Sequence, residues 1–432
     1  MVFSLAASTR RRRLFSIWTL LFIISSAFFF GLMSDVQAAL GDDKPQTEAV
    51  SVILFDAHRG QTIYSKVPDE ASHSPLANRI TAVMLTLEKA DQEALITASK
   101  DAANTENATL KLTVGEKYTV KNLLSALLLT GSPDAAIAIA EHVGGSETGF
   151  VAMMNEYALG LGMKNTHFTN CTGVYDENQV TTIEDIVVLM KYALKNDGFN
   201  RIFGTQAKPW YDKDKTSLLT NTNNMFWSYQ GTDGGVAGGF GEDVQSIVTT
   251  ATKNNMRLVC VLLDVPAKSM YTDSINIFSY GFDNYLLGTL VYAGSSQKVV
   301  TIDNQSINLV PVADVQYIYP KGQSFIKEIK PNIDESKLKP PITKNTVVGM
   351  MTYTLMDGTV INVELYPDRE IVPQKTTREL LEEKLKENME LVYVVLALIL
   401  LEIIIIISKI MKYTRNQVIK ARVRKKSRGR FS

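Results

Sequence analysis

Two apolar runs bracket this chain, and each has a basic cluster beside it. Four arginines at 10–13 precede the run 14–33, and the segment 408–432, with ten basic residues and no acid, follows the run 391–407. The second run is at the short end of the roughly 20 apolar residues that cross a bilayer. Flanking Lys and Arg stay on the cytoplasmic side, so both ends are expected there and everything between them is exported. Val36-Gln37-Ala38 supplies the small-residue pattern of a signal-peptide cleavage site. Cleavage is expected after Ala38 or Ala39, and the length of the run leaves an uncleaved anchor as the other reading.

The 432 residues carry 45 basic and 45 acidic side chains, a balance that hides an asymmetry. Taking away the two basic clusters, and Asp35 and Glu402, leaves 31 basic against 43 acidic residues, a net charge near −12 for the exported part. That charge disfavours nucleic acid and anionic wall polymers as partners, because phosphate binding draws on clustered positive charge. The tail reads first as a topology determinant. Contact with anionic lipid, at about 1 kcal/mol per basic residue, is the alternative. Glu402 is costly inside the apolar run. It either stays protonated, reaches the interface, or meets a partner helix.

Three stretches of the exported part concentrate polar and small residues beside apolar runs. The first is His73-Ser74-Pro75-Leu76-Ala77-Asn78-Arg79-Ile80, continuing to Glu88; the second is Thr130-Gly131-Ser132-Pro133-Asp134-Ala135-Ala136; the third is Asn221-Thr222-Asn223-Asn224, continuing to Asp233-Gly234. Each resembles a catalytic motif of the D-alanyl-D-alanine carboxypeptidases, the low-molecular-mass penicillin-binding serine peptidases. The strand-and-turn signal at Ser51–Asp56 with Gly60, and Gly145-Ser146-Glu147 through Gly162-Met163-Lys164-Asn165-Thr166-His167-Phe168, extend the likeness over roughly residues 50–287.

The resemblance implies where the catalytic groups of such an enzyme would sit, and there this sequence departs from the family. In the Ser-x-x-Lys motif the nucleophile position falls on Leu76 and the lysine on Arg79. A leucine cannot attack a carbonyl, and a guanidinium cannot serve as the base that a weak hydroxyl nucleophile needs. Ser72 and Ser74 are the nearby hydroxyls, but Pro75 and Ala77 lie three residues after them. In the Ser-Gly-Asn motif the serine becomes Gly131 and the asparagine Pro133. Ser132, Pro133 and Asp134 read instead as a helix start, with an N-cap, a first-turn proline and a first-turn acid. At the Lys-Thr-Gly motif stand Val236, Ala237 and Gly238; a shift of one residue puts Ala237 at the lysine, so neither register has a basic group.

Gly231, Gly234, Gly235, Gly238, Gly239 and Gly241 suggest a loosened strand edge. A phosphate cradle would also need a preceding strand, a following helix and a later acid. Cys171 and Cys260 are the two cysteines. Export permits a disulfide, but Cys260 lies in an apolar strand-like run where a free thiol acts as a small hydrophobe. His58, His73, His142 and His167 show no metal-ligand spacing, and no cofactor is expected.

The expected fold is α+β: a beta-lactamase/transpeptidase-like domain with an antiparallel sheet and helices, then a small all-β domain and a C-terminal transmembrane helix. The expected boundaries are 1–39 for the signal peptide or anchor, 46–290 for the carboxypeptidase-like domain and 291–374 for the β domain, which the family uses as a stalk. A charged juxtamembrane helix follows at 376–390, the membrane helix at 391–407 and the cytoplasmic tail at 408–432. The expected function is that of a membrane-anchored extracytoplasmic homologue that is catalytically inactive and binds peptidoglycan peptides or a cell-envelope protein. An active serine-type carboxypeptidase trimming peptidoglycan stem peptides is the alternative. A purely architectural ectodomain, whose work lies in the membrane helix and tail, is the third reading.

Overall fold

The computed structural model describes residues 44–67, 71–212, 215–302, 305–373 and 375–428. The leader expected over residues 1–39 lies outside them. The chain divides into two units: the first runs to Leu290 and takes in Gln316–Phe325, and the second comprises Val291–Val315 and the chain from Ile326 onward.

In the first unit, β1 (Ser51–Asp56) and β2 (Thr62–Lys66) form a hairpin, and α1 (Leu76–Lys89) follows. A small ribbon of β3 (Leu95–Thr97) and β4 (Lys117–Thr119) flanks α2 (Lys100–Ala103). Five helices come next: α3 (Val120–Thr130), α4 (Pro133–Gly144), α5 (Glu147–Leu161), α6 (Ile183–Ala193) and α7 (Asp197–Phe203). The hairpin β5 (Ala207–Asp212) and β6 (Lys215–Thr220) leads to α8 (Met225–Ser228). Then come β7 (Thr232–Phe240), β8 (Val244–Lys253), β9 (Met256–Pro266), α9 (Met270–Asn284) and β10 (Tyr285–Val291).

The main sheet has the order β2-β1-β9-β8-β7, antiparallel throughout. Its inner strands are apolar on successive residues because both faces are covered, and side chains alternate between the faces. Val259, Val261 and Leu263 of β9 join the cluster that contains Leu76, Ile80 and Leu127, while Leu258, Cys260 and Leu262 join the one containing Ile277 and Phe278 of α9. Cys260 thus packs as a small hydrophobe, and it and Cys171 are buried free thiols. β7 is the glycine-rich edge strand. It is followed by β8 rather than by a helix, so its glycines do not form the strand-turn-helix of a phosphate cradle.

α1 runs through the middle of this unit. From Leu76 to Thr86 every side chain is buried except Arg79, which keeps partial contact with solvent. No polar cap fixes its start, since Pro75 at the N-cap position offers no side-chain hydrogen bond.

β13 (Val315–Pro320) returns to the first unit and pairs with β10, while in the second unit β11 (Lys298–Ile302) and β12 (Gln305–Val310) pair, and β14 (Ile326–Ile333), β15 (Gly349–Leu355) and β16 (Val360–Pro367) follow. The sheet order is β11-β12-β16-β15-β14. Met351, Tyr353 and Leu355 alternate inward, as do Ile361, Val363 and Leu365, the period-two pattern of a sheet with one dry face. α10 (Thr377–Glu387) opens with a capping box between Thr376 and Glu379. α11 (Met389–Arg428) is one helix of 40 residues, so the apolar run and the basic residues after it share an element. At about 1.5 Å per residue it extends about 60 Å, twice the hydrocarbon thickness of a bilayer, and its apolar half is long enough to cross one. The fold is α+β, with an antiparallel sheet covered by helices, a C-terminal all-β domain and a long apolar helix.

Candidate functional site

Three segments meet at β7: the first turns of α1, the turn between α3 and α4, and residues 221–224. Thr222 N–H donates to the carbonyl of Leu129 at 3.0 Å, which ties the third segment to the end of α3. Thr222 Oγ1 donates to the carbonyl of Ala237 at 2.6 Å and accepts from its N–H at 3.2 Å, and Asn221 Nδ2 donates to the carbonyl of Gly235 at 2.9 Å. The outer edge of β7 is therefore already hydrogen-bonded by the protein's own side chains at these two residues.

Arg79 is the centre of the arrangement. Its Nη1 donates to the carbonyl of Ala237 at 3.1 Å. A Cβ placed on Gly131 would lie 2.3 Å from Cζ and Nη2 of Arg79, and one placed on Gly238 would lie 2.8 Å from Nη2. The guanidinium thus fills the space that a side chain at either position would need. Gly131 also caps α3 at φ 68° and ψ 36°, a left-handed conformation that favours glycine. Burial pulls the Arg79 guanidinium down from its ordinary value to about 10, which leaves it a cation at neutral pH. Its Nε is buried without a hydrogen-bond partner, and among the described residues no carboxylate pairs with it.

The other candidate positions are placed as follows. Leu76 is fully buried one turn before Arg79 on the same side of α1. Val236 is fully buried in the same core cluster, two residues before Gly238 and on the same face of β7. Pro133 is the first residue of α4. Ser132 holds the N-cap position, but its hydroxyl does not cap the helix: it donates to Asp134 Oδ1 at 2.5 Å. The reason is that Asp134 is fully buried and gathers donors, accepting also from the N–H groups of Leu110, Leu112 and Ala135. The serines ahead of α1 are hydrogen-bonded as well, whereas Thr81 Oγ1 within α1 is buried without a partner. Ser72 Oγ accepts from Ser74 N–H at 3.1 Å, Ser74 Oγ accepts from Leu76 N–H at 3.4 Å, and both serines are buried.

Beside this cluster a line of rings runs from the approach to α1 to the end of β7. His73 and Tyr175 lie 5.3 Å apart and Tyr175 and Phe240 5.4 Å apart between centroids, both edge-to-face. Asn78 Nδ2 donates to the carbonyl of Asn170 and to Gln179 Oε1, at 2.9 and 2.8 Å, and so holds the Tyr175 loop to α1. Sequence reading overlooked Thr222, Tyr175 and Phe240. The only signal for them was Thr222's place within the third motif. His58, His142 and His167 are exposed, and among the described residues no group of three His, Cys, Asp or Glu side chains could hold a metal ion.

An edge strand, a central buried helix and a helix-helix turn thus meet around the Arg79 guanidinium. Residues 38–267, more than half of the chain, match the D-alanyl-D-alanine carboxypeptidase family, and residues 287–373 match the C-terminal domain of penicillin-binding protein 5. The chain belongs to the D-alanyl-D-alanine carboxypeptidase family, among the low-molecular-mass penicillin-binding proteins. It is 27% identical over 325 residues to D-alanyl-D-alanine carboxypeptidase DacF of Bacillus subtilis, covering 73% of this chain and 83% of the relative. It is likewise 27% identical over 335 residues to DacA of Escherichia coli, covering 73% and 82%. Penicillin-binding protein 5 of Haemophilus influenzae superimposes with a TM-score of 0.63 at 24% identity, over 77% of this chain and all of that one, which bears on the fold.

Proposed function

We propose that this protein is an extracytoplasmic, membrane-anchored member of the family that does not catalyse acyl transfer and binds short peptidoglycan peptides in its cleft. One observation carries the reading: the Arg79 guanidinium occupies the volume beside both Gly131 and Gly238. In register with the family motifs, Leu76 stands at the nucleophile, Arg79 at the base, Gly131 and Pro133 at the relay and amide, and Val236 at the carboxylate-binding lysine. The losses support one another sterically, because the longer cation fits only where the neighbouring side chain is missing. Losing one member of a catalytic unit costs other hydrolases several powers of ten, and here all of them are replaced.

Kinship with active carboxypeptidases favours the alternative, a working serine enzyme. It would need a hydroxyl that is both activated by a base and open to substrate, and Ser74 and Ser132 are both buried, Ser132 on a fully buried carboxylate that already accepts three backbone N–H groups. Incubating the full chain with a fluorescent penicillin decides between the two. No covalent label is expected; a labelled band lost on Ser74→Ala or Ser132→Ala would establish the alternative. α11 and its basic end supply the anchor, with the ectodomain outside and the segment 408–432 in the cytoplasm.

A further inference from the structure

The Arg79 side chain is more than a plug. Of its five N–H donors one is engaged, with the carbonyl of Ala237, and Nε is buried and unpartnered. Nη2 lies against two glycines and has no hydrogen-bond partner among the described residues. Among the described residues no acid within ion-pair distance neutralises the charge, although the exported part is rich in acids. A guanidinium with unsatisfied donors, partly open to solvent and flanked by residues without side chains, is set up for a planar anion that accepts two parallel hydrogen bonds.

We infer that Arg79 is the anion-binding residue of this site and takes a ligand carboxylate on the solvent-facing side of Nη2, beside Gly131 and Gly238. The inference rests on the peptide-binding reading above and names the chemistry by which the cleft selects its ligand. Gly131 and Gly238 have a positive role here, since a Cβ at either would cover the donor that the carboxylate needs. The Tyr175–Phe240 pair forms a neighbouring apolar wall and suits a ligand with a small apolar group next to its carboxylate. The carboxylate comes from a peptide C-terminus or from an acidic side chain within a peptide, and separate probes distinguish the two.

The test is a calorimetric titration of the full chain in lipid nanodiscs with three probes: N-acetyl-D-alanyl-D-alanine, its C-terminal amide, and an amidated N-acetyl-D-glutamyl dipeptide that keeps only a side-chain acid. The free acid is expected to bind about tenfold or more tightly than its amide, as one charge-assisted hydrogen-bond pair implies. Arg79→Gln should abolish that preference, and Arg79→Lys should retain part of it, because a lysine keeps the charge without the planar fork. Retained melting transitions show that each variant is folded. Tight binding of the glutamyl probe assigns the site to side-chain acids instead of C-termini. Equal binding of acid and amide by the wild-type chain, or an unchanged acid preference in Arg79→Gln, overturns the carboxylate site and leaves peptide binding standing. Binding of none of the probes overturns both.

Discussion

Arg79 and Gly131 are sterically matched: the guanidinium carbon lies 2.3 Å from where a Cβ on the glycine would be, so a side chain at 131 and this arginine cannot coexist without movement. Two positions 52 residues apart in sequence therefore constrain one another, and a side chain added at 131 is penalised while the arginine stays.

Gly131→Ser is expected to cost about 2–4 kcal/mol, from the clash and from holding a non-glycine residue at φ 68°. Combining it with Arg79→Lys, whose ammonium lacks the bulk of the guanidinium, should recover the steric part. A double-mutant cycle by urea denaturation measures the coupling, and a coupling of zero would contradict the packing described.

Leu76→Ser alone is expected to remain unlabelled by fluorescent penicillin, because Arg79 stays charged beside it. It should also lower stability by about 2–5 kcal/mol, since Leu76 is fully buried and a hydroxyl there replaces core packing. Acylation of this single variant would show that a base acts from elsewhere.

Arg79→Met should raise stability, because it removes a desolvated, unpaired cation while filling a similar volume. Partial exposure of the residue limits the gain to about 1–2 kcal/mol. The sign with pH follows from linkage. Burial lowers the folded-state pKa to about 10, so the cation's penalty is complete below that pH and shrinks as pH rises from there towards the guanidinium's ordinary value. Melting temperatures of the two proteins should thus differ by a constant amount across the neutral range.

Asp134→Ala removes the acceptor shared by Ser132 Oγ and the Leu110, Leu112 and Ala135 N–H groups. Several donors are then left buried, and a loss of about 3–5 kcal/mol is expected. Hydrogen exchange should speed up first at residues 110–112. If exchange there were unchanged, this carboxylate would not be what anchors the segment.

Ending the chain after Val372 removes α10 and α11. The remaining ectodomain should leave the membrane fraction and stay folded, as both sheets close before that point. Fractionation after an alkaline wash reads the outcome, and persistent membrane association would point to a second attachment.

Much of the fold is readable along the chain because its signals are local. The alternation in β15 and β16, the two-sided apolar run of β9 and the long apolar stretch of α11 follow from side-chain period and length. Leu76, Arg79, Gly131 and Val236 were singled out by register against the family's motifs; the structure sets Arg79 against Gly131 and puts Leu76 and Val236 in one core cluster, while their match to catalytic positions belongs to the proposed function. Ser132 was legible only in part: its position at the N-cap was right, but the direction of its hydroxyl depended on where Asp134 was buried. The aromatic line from His73 to Phe240 had no sequence signal, because its members come from a loop, a helix approach and a strand end.

The sequence by itself determined what chemistry each position can offer, since that does not depend on its neighbours: leucine at 76 has no nucleophile, and valine at 236 and glycine at 131 carry no charge. Only the tertiary structure decided that Arg79, Gly131 and Gly238 form one packing unit. The burial of α1 against the edge strand brings Arg79 to both glycines and to the Ala237 carbonyl, and close packing lets a single guanidinium occupy the space that the two glycines leave open.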